Sequence, residues 1–355
     1  EKQKEKPLRF LRYFLMANYK IENDRSDSTV REDEIYDWFI NKKNAVLCDY
    51  SSKPFEFVRK IIKNVDSFVA FSAGKGNDGL DNLYMDNLRL LCGGAFSLHY
   101  ILLLSAKTLP KSLFDHFLKQ LESFLFYYIF TKTPTKELER NFSVWADELR
   151  GISEITDTLE QKKKLNDFLK ERFTKNMQAK GTKLSDDLKR YTLNSMQQYR
   201  TRYFLAKLTQ YVDMAYKGLR TSGSLSDYMT LEIEHILPNN PELSLRSDFT
   251  EKNPEKKYDD YKVKLGNLTL LEKPINIVAS NDFYNLKCPE YKKSKYYLTS
   301  SLVELVTVGN NSSINRINEK LKAFTEWNSV SIEIRQDILI NLALEIWKIE
   351  EIEVE

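Results

Sequence analysis

The chain has 355 residues, 42% of them hydrophobic and 30% charged, with only 11 glycines and 9 prolines and a net charge of +3. That apolar content can fill a real core, and scarce glycine and proline exclude collagen-like repeats and low-complexity disorder and argue against an all-β sandwich. The length suits two or three compact units. Charge is unevenly spread: residues 1–225 carry 38 basic and 29 acidic side chains, residues 226–300 carry 11 and 12, and residues 301–355 carry 5 and 10. A basic first two-thirds can face a polyanion or simply present solvated helix faces. Cys48, Cys92 and Cys288 are odd in number and have no metal-like spacing, so free thiols in a reducing, cytoplasmic setting are expected. The longest apolar run, residues 100–106, is far short of the roughly 20 residues that a membrane span needs. No signal peptide opens the chain, and its start at Glu1 without a methionine points to a fragment of something longer.

Helical periodicity dominates residues 6–220. Leu8, Leu11, Phe14 and Leu15 share one face of an opening helix, and Phe57, Ile61, Ile62, Val65 and Phe68 repeat that spacing in another. Two long apolar helices are predicted over 82–106 and 110–131, with Pro110 at the start of the second. More are expected over 134–150, 155–177, 183–196 and 198–218. Residues 72–79 hint at a phosphate loop but lack its full glycine-lysine frame and read as a plain loop. The small residues Thr221, Ser222, Gly223 and Ser224 mark a boundary. This divides the chain into a helical domain over 1–224 and a second domain over 225–355.

Beyond the boundary, residues 230–238 alternate as a short strand and 239–262 read as a polar loop. Residues 263–271 make a second strand with a turn at Gly266 and Asn267. Pro274 can begin a helix carrying Asn276, and helices over 313–327 and 331–349 close the chain. His99 and His116 lie in apolar helical stretches and read as packed core or groove histidines. His235 differs, because it follows Glu234 at a strand end. Hydrolysis of a phosphodiester needs a base near neutrality and a hard cation on oxygen ligands. His235 can be that base, Glu234 and Asn276 can supply the oxygens, and Asn267 can bond across the loop to hold His235. Alternation puts Glu234 and His235 on opposite faces unless the strand end bends. Basic and aromatic residues interleave along Tyr199–Lys207, so Arg200, Arg202 and Lys207, with Lys264 near the turn, are candidate DNA contacts. A packed helix with snorkelling arginines explains the same pattern.

The segments Glu234–Pro238, Leu265–Leu271, Asn276, Ser280–Phe283 and Lys287 resemble the C-terminal HNH nuclease domain of GmrSD-type, modification-dependent restriction endonucleases. Trp327, Ile334, Arg335 and Trp347 resemble its helical close. The resemblance implies a ββα-metal finger with His235 as general base, Asn267 as the residue that fixes the loop, and Glu234 and Asn276 as ligands of Mg²⁺, with Mn²⁺ as an alternative. Lys287 would touch the phosphate or leaving group. Such proteins usually carry an N-terminal ParB-like, nucleotide-hydrolysing sensor, whose Asp-Gly-Gln-Gln-Arg motif is not found here. A missing sensor domain or subunit and a homo-oligomer are therefore expected partners besides DNA.

The expected architecture is mainly α with a small α+β unit: an irregular helical bundle followed by an HNH-like finger embedded in helices. The expected activity is metal-dependent nicking or cleavage of modified phage or foreign DNA in bacterial defence. The alternative is a non-catalytic DNA-binding or scaffold module with a degenerate finger.

Overall fold

The computed structural model describes residues 7–22, 28–219, 221, 223–307, 309 and 312–353; Ser222 of the expected boundary lies outside them. Among the described residues the protein is mainly α-helical with one two-stranded antiparallel sheet. Among the described residues no helix is long and apolar enough to cross a membrane. The chain forms two compact units, one of residues 1–181 with 349–355 and the other of residues 182–348.

The first unit contains α1 (Pro7–Asn18), α2 (Ile35–Ile40), α3 (Lys42–Cys48), α4 (Pro54–Ser72), α5 (Leu83–Cys92), α6 (His99–Ala106), α7 (Lys111–Phe130), α8 (Thr135–Ser153), α9 (Thr158–Phe168) and α10 (Lys175–Gln178). The long helix expected over 82–106 is broken into α5 and α6. Gly93 adopts φ 56° at the break, a left-handed value that favours glycine. Every residue of α6 is buried, so this helix is apolar all round because it has no solvent face. His99 lies within it, unpaired at Nδ1 among the described residues, and burial pushes its pKa down to about 3. The helix expected over 155–177 contains a π-helical stretch at Leu169–Thr174, where Phe173 stacks on Phe124 at 4.4 Å. Phe124 also meets Phe142 and Trp145, so the abundant aromatic residues form much of this core.

The second unit contains α11 (Lys183–Lys189), α12 (Gln198–Lys217), α13 (Leu225–Met229), β1 (Glu232–His235), α14 (Leu243–Lys252), α15 (Tyr258–Lys262), β2 (Leu268–Leu271), α16 (Lys273–Ala279), α17 (Tyr284–Tyr291), α18 (Tyr297–Ser300), α19 (Ser312–Asn318) and α20 (Ser329–Ile346). The compact units divide at 181/182 rather than near 224. The reason is that α12 buries Phe204 against Trp347, with ring centroids 5.7 Å apart, and places Asp213 so that its Oδ1 accepts the Tyr297 backbone N–H at 2.8 Å. The stretch 239–262, expected as loop, forms α14 and α15, which pack Leu245, Phe249, Tyr258 and Tyr261 with Leu237 and Ile332. The closing helix expected over 313–327 ends at Asn318.

The strands pair with Glu232 opposite Leu271 and His235 opposite Leu268. A single 3-10 turn, Leu265–Asn267, leads into β2 and lies flat against α20. Glycine is required at position 266 because a Cβ there would sit 2.1 Å from the Ile332 carbonyl oxygen and 2.9 Å from the Gln336 backbone nitrogen. Both obstacles are helix backbone, which cannot move aside locally. Gly266→Ala is therefore expected to destabilise the second unit by about 3 kcal/mol or more, the upper range for overpacking, as measured by denaturant unfolding. Arg335, 2% exposed, secures the same turn by donating from Nη1 to the carbonyl oxygens of Gly266 (2.8 Å) and Leu268 (2.6 Å).

Candidate active site

The ribbon β1–β2 followed by α16 brings the strand end, the turn and a helix start into one small unit. Asn267, fully buried in the turn, controls the chain just after His235. Its Nδ2 donates to the carbonyls of Leu237 (2.9 Å) and Lys262 (2.8 Å), and its Oδ1 accepts from Leu237 N (2.7 Å) and Trp327 Nε1 (2.9 Å). Its backbone oxygen accepts from Ile236 N at 3.0 Å. Residues 236–237 thus leave the ladder in a bend clamped by one amide side chain, as a polar side chain competing for backbone groups can do.

His235 is partly exposed at the end of β1. Its Nε2 is sealed from solvent with no hydrogen-bond partner among the described residues. Burial, assisted by the positive charges of Lys287 and Lys262, lowers its pKa to about 4. The imidazole is therefore neutral at physiological pH.

Glu234, 6% exposed, is in a different environment. Its Oε1 accepts from Lys287 Nζ at 2.7 Å and from Tyr291 OH at 2.7 Å, while no described hydrogen bond falls on Oε2. Lys287 is completely buried and also donates to the His235 carbonyl at 2.9 Å. Burial lowers its pKa, and the Glu234 charge opposes that shift. This corrects the expectation that Lys287 touches a phosphate, since an ammonium enclosed by Glu234 and a backbone carbonyl has no surface to offer one. It instead links α17 to the strand end.

Asn276 lies in the first turn of α16, where its Nδ2 donates to Glu232 Oε2 at 2.7 Å. Glu232 and Glu234 share one face of β1 by alternation, and His235 belongs to the other. The fold thus brings Asn276 to the acidic face of the strand and Glu234 to Lys287, while no described hydrogen bond joins the His235 ring to either. Glu232 was not singled out in the sequence, although the Glu-x-Glu spacing on a strand carries the signal. Tyr291 gave no signal, because its role depends on a partner 57 positions away.

The candidate DNA contacts are mostly engaged within the fold. Arg202, expected to meet phosphate, instead donates from Nη1 to the carbonyls of Met229 (3.1 Å) and Leu231 (2.9 Å), which lead into β1. Lys264 lies 4.2 Å from the Tyr261 ring centroid and 3.4 Å from Glu333. Arg200 and Lys207 are half-buried on α12. The snorkelling explanation fits this helix, where Tyr203, Phe204 and Leu208, which flank Arg200 and Lys207 at helical spacing, are fully buried.

A clamped turn, a neutral histidine at a strand end and a following helix with an amide oxygen donor define a ββα finger built into a helical domain. Residues 178–342 match the family model of the GmrSD restriction endonucleases, C-terminal domain. No curated protein matches the chain.

Proposed function

We propose that the second unit is a divalent-cation-dependent DNA endonuclease of the HNH type, acting in a restriction system against foreign DNA. The observation that carries this reading is His235, a neutral, partly exposed imidazole held at the strand end by the Asn267 clamp, within the segment that matches the restriction-endonuclease family model.

The donor set is compatible with a hard cation. Asn276 is anchored through its nitrogen and Glu234 through one oxygen, which leaves Oδ1 of the first and Oε2 of the second as oxygen donors on the acidic face, beside Glu232. Among the described residues no group of three or more His, Cys, Asp or Glu side chains can hold a metal. An ion of the Mg²⁺ type retains waters and shares ligands with substrate phosphate, so few protein oxygens suffice. Glu234 Oε2, Asn276 Oδ1 and Glu232 would hold it, and when bound it would offset charge developing on the phosphate.

Because His235 stands on the face of β1 opposite Glu232 and Glu234, this reading requires the bend clamped by Asn267 at residues 236–237 to turn its ring toward the same phosphodiester, where it would accept a proton from the attacking water as the new P–O bond forms and the 3′-oxygen departs. A base with a pKa of about 4 is weak, and the negative charge of a docked phosphodiester would raise it toward the working pH. Asn267 would keep the ring at the strand end by fixing residues 236 and 237.

The direct test is incubation of modified and unmodified phage DNA with the chain across Mg²⁺, Mn²⁺ and EDTA. Divalent-dependent strand breaks are expected; salt-sensitive binding with no cleavage under any ion would overturn the nuclease reading in favour of a binding scaffold. The pH dependence gives a second measurement. The acidic limb of kcat/KM should fall below about pH 5, not near the ordinary histidine value of 6.5, because the free protein holds His235 near 4. Stability should follow the same sign: a histidine depressed on folding contributes fully above 6.5 and loses that contribution as pH falls toward 4.

A further inference from the structure

A cavity of about 450 Å³ lies in the first unit, where the ends of α1, α6 and α8 meet the side of α4. It is lined by five cationic side chains, Arg59, Lys60, Lys63, Lys107 and Arg150, against two carboxylates. Its floor is built from buried polar groups. Asn64, fully buried, accepts at Oδ1 from Lys107 Nζ and, at 3.1 Å, from Asn18 Nδ2. Arg150 is oriented by its Nη1 bond to the Ala17 carbonyl at 2.9 Å and by its ion pair with Asp147. Lys60 lies 4.2 Å from the Tyr19 ring centroid. Arg59 and Lys63 have no ion-pair partner among the described residues. Of the two carboxylates, Glu56 pairs with Lys53, outside the cavity, at 3.9 Å.

We propose that this pocket binds a phosphorylated anion of about pyrophosphate size, with Lys63, Lys107 and Arg59 as its principal contacts. Converging cations in a concave, partly dry site repel one another when it is empty, and a multiply charged oxyanion relieves that repulsion while accepting charge-assisted hydrogen bonds. The volume falls in the range of small-ligand pockets. The mutual repulsion is already evident in Lys107, whose pKa is lowered to about 8 by burial and by Lys60, Lys63 and Arg150. The phosphate could be carried by a free small molecule or by the end of a nucleic acid strand. Neither source requires the second unit to cleave DNA, so this inference stands apart from the nuclease reading.

The test is thermal unfolding and calorimetric titration of the full chain with inorganic pyrophosphate at low salt. The melting temperature should rise with pyrophosphate concentration, as binding to the native state requires. Lys63→Gln, a surface change, and Lys107→Gln should each weaken binding about tenfold, the scale of one charge-assisted contact. Lys163→Gln, on α9 outside the pocket, should bind as wild type. Competition with a 5′-phosphorylated oligonucleotide and its unphosphorylated twin separates the sources. Displacement by the phosphorylated strand alone supports the pocket with a strand-borne phosphate, and displacement by neither supports it with a small molecule. The proposal is overturned by the absence of any thermal shift at millimolar pyrophosphate, by wild-type binding in both pocket variants, or by equal displacement with both strands.

Discussion

Replacing His235 with alanine is expected to reduce divalent-dependent DNA cleavage by two to four orders of magnitude, roughly the share of a rate that general base catalysis supplies. The fold should survive. The side chain is partly exposed, its ring makes no described hydrogen bond, and the bend behind it is clamped by Asn267 and not by the imidazole. Removing a histidine that is held neutral near pKa 4 should even remove an acid liability. Circular dichroism and melting would check the fold while plasmid nicking reads the rate. Wild-type nicking by this variant would show that the base lies elsewhere.

The second large effect concerns stability. Glu234→Ala is expected to cost about 3–5 kcal/mol, because it leaves the fully buried Lys287 ammonium with only the His235 carbonyl and Tyr291 with an unanswered hydroxyl. Replacing both members of the pair, Glu234→Leu with Lys287→Met, should be far less damaging, since hydrophobic side chains of similar volume often replace a buried ion pair at little cost. Chemical denaturation of Glu234→Leu, Lys287→Met and the double variant measures the coupling directly. Additive losses would mean that the ion pair contributes nothing as a pair. Loss of cleavage in Glu234→Ala would therefore not by itself assign a metal ligand, whereas the same loss in Asn276→Ala, on a half-exposed helix turn, would be informative.

The sequence carried the ribbon and its turn because their signals are local. Alternation over 232–235, Gly266 beside Asn267, and Pro274 at the head of α16 each act within a few residues. What escaped was either short or distant. Helices α14 and α15 have only two buried anchors each, Leu245 with Phe249 and Tyr258 with Tyr261, too few to show a period. Their stability comes from contact with Leu237 and Ile332, which only the fold brings near. The role of Lys287 depended on a partner 53 positions away. A lysine followed by tyrosine at i+4 reads as solvated surface until Glu234 is placed beneath it. For Arg202, the basic-aromatic pattern of a nucleic-acid face and that of a helix capping its neighbour's carbonyls are the same pattern, and burial decides between them.

The end of the chain has a practical consequence. Residues after Lys348 return to the first unit, where Glu350 N–H donates to Gln120 at 2.9 Å and pairs of bonds tie Ile352 to Asn166 at 2.8 Å. The first unit is thus encoded in two pieces of gene separated by the whole of the second. A protein engineer who wants it alone must splice the short tail back on with a linker, since a simple stop codon after 181 would discard the latch that closes it.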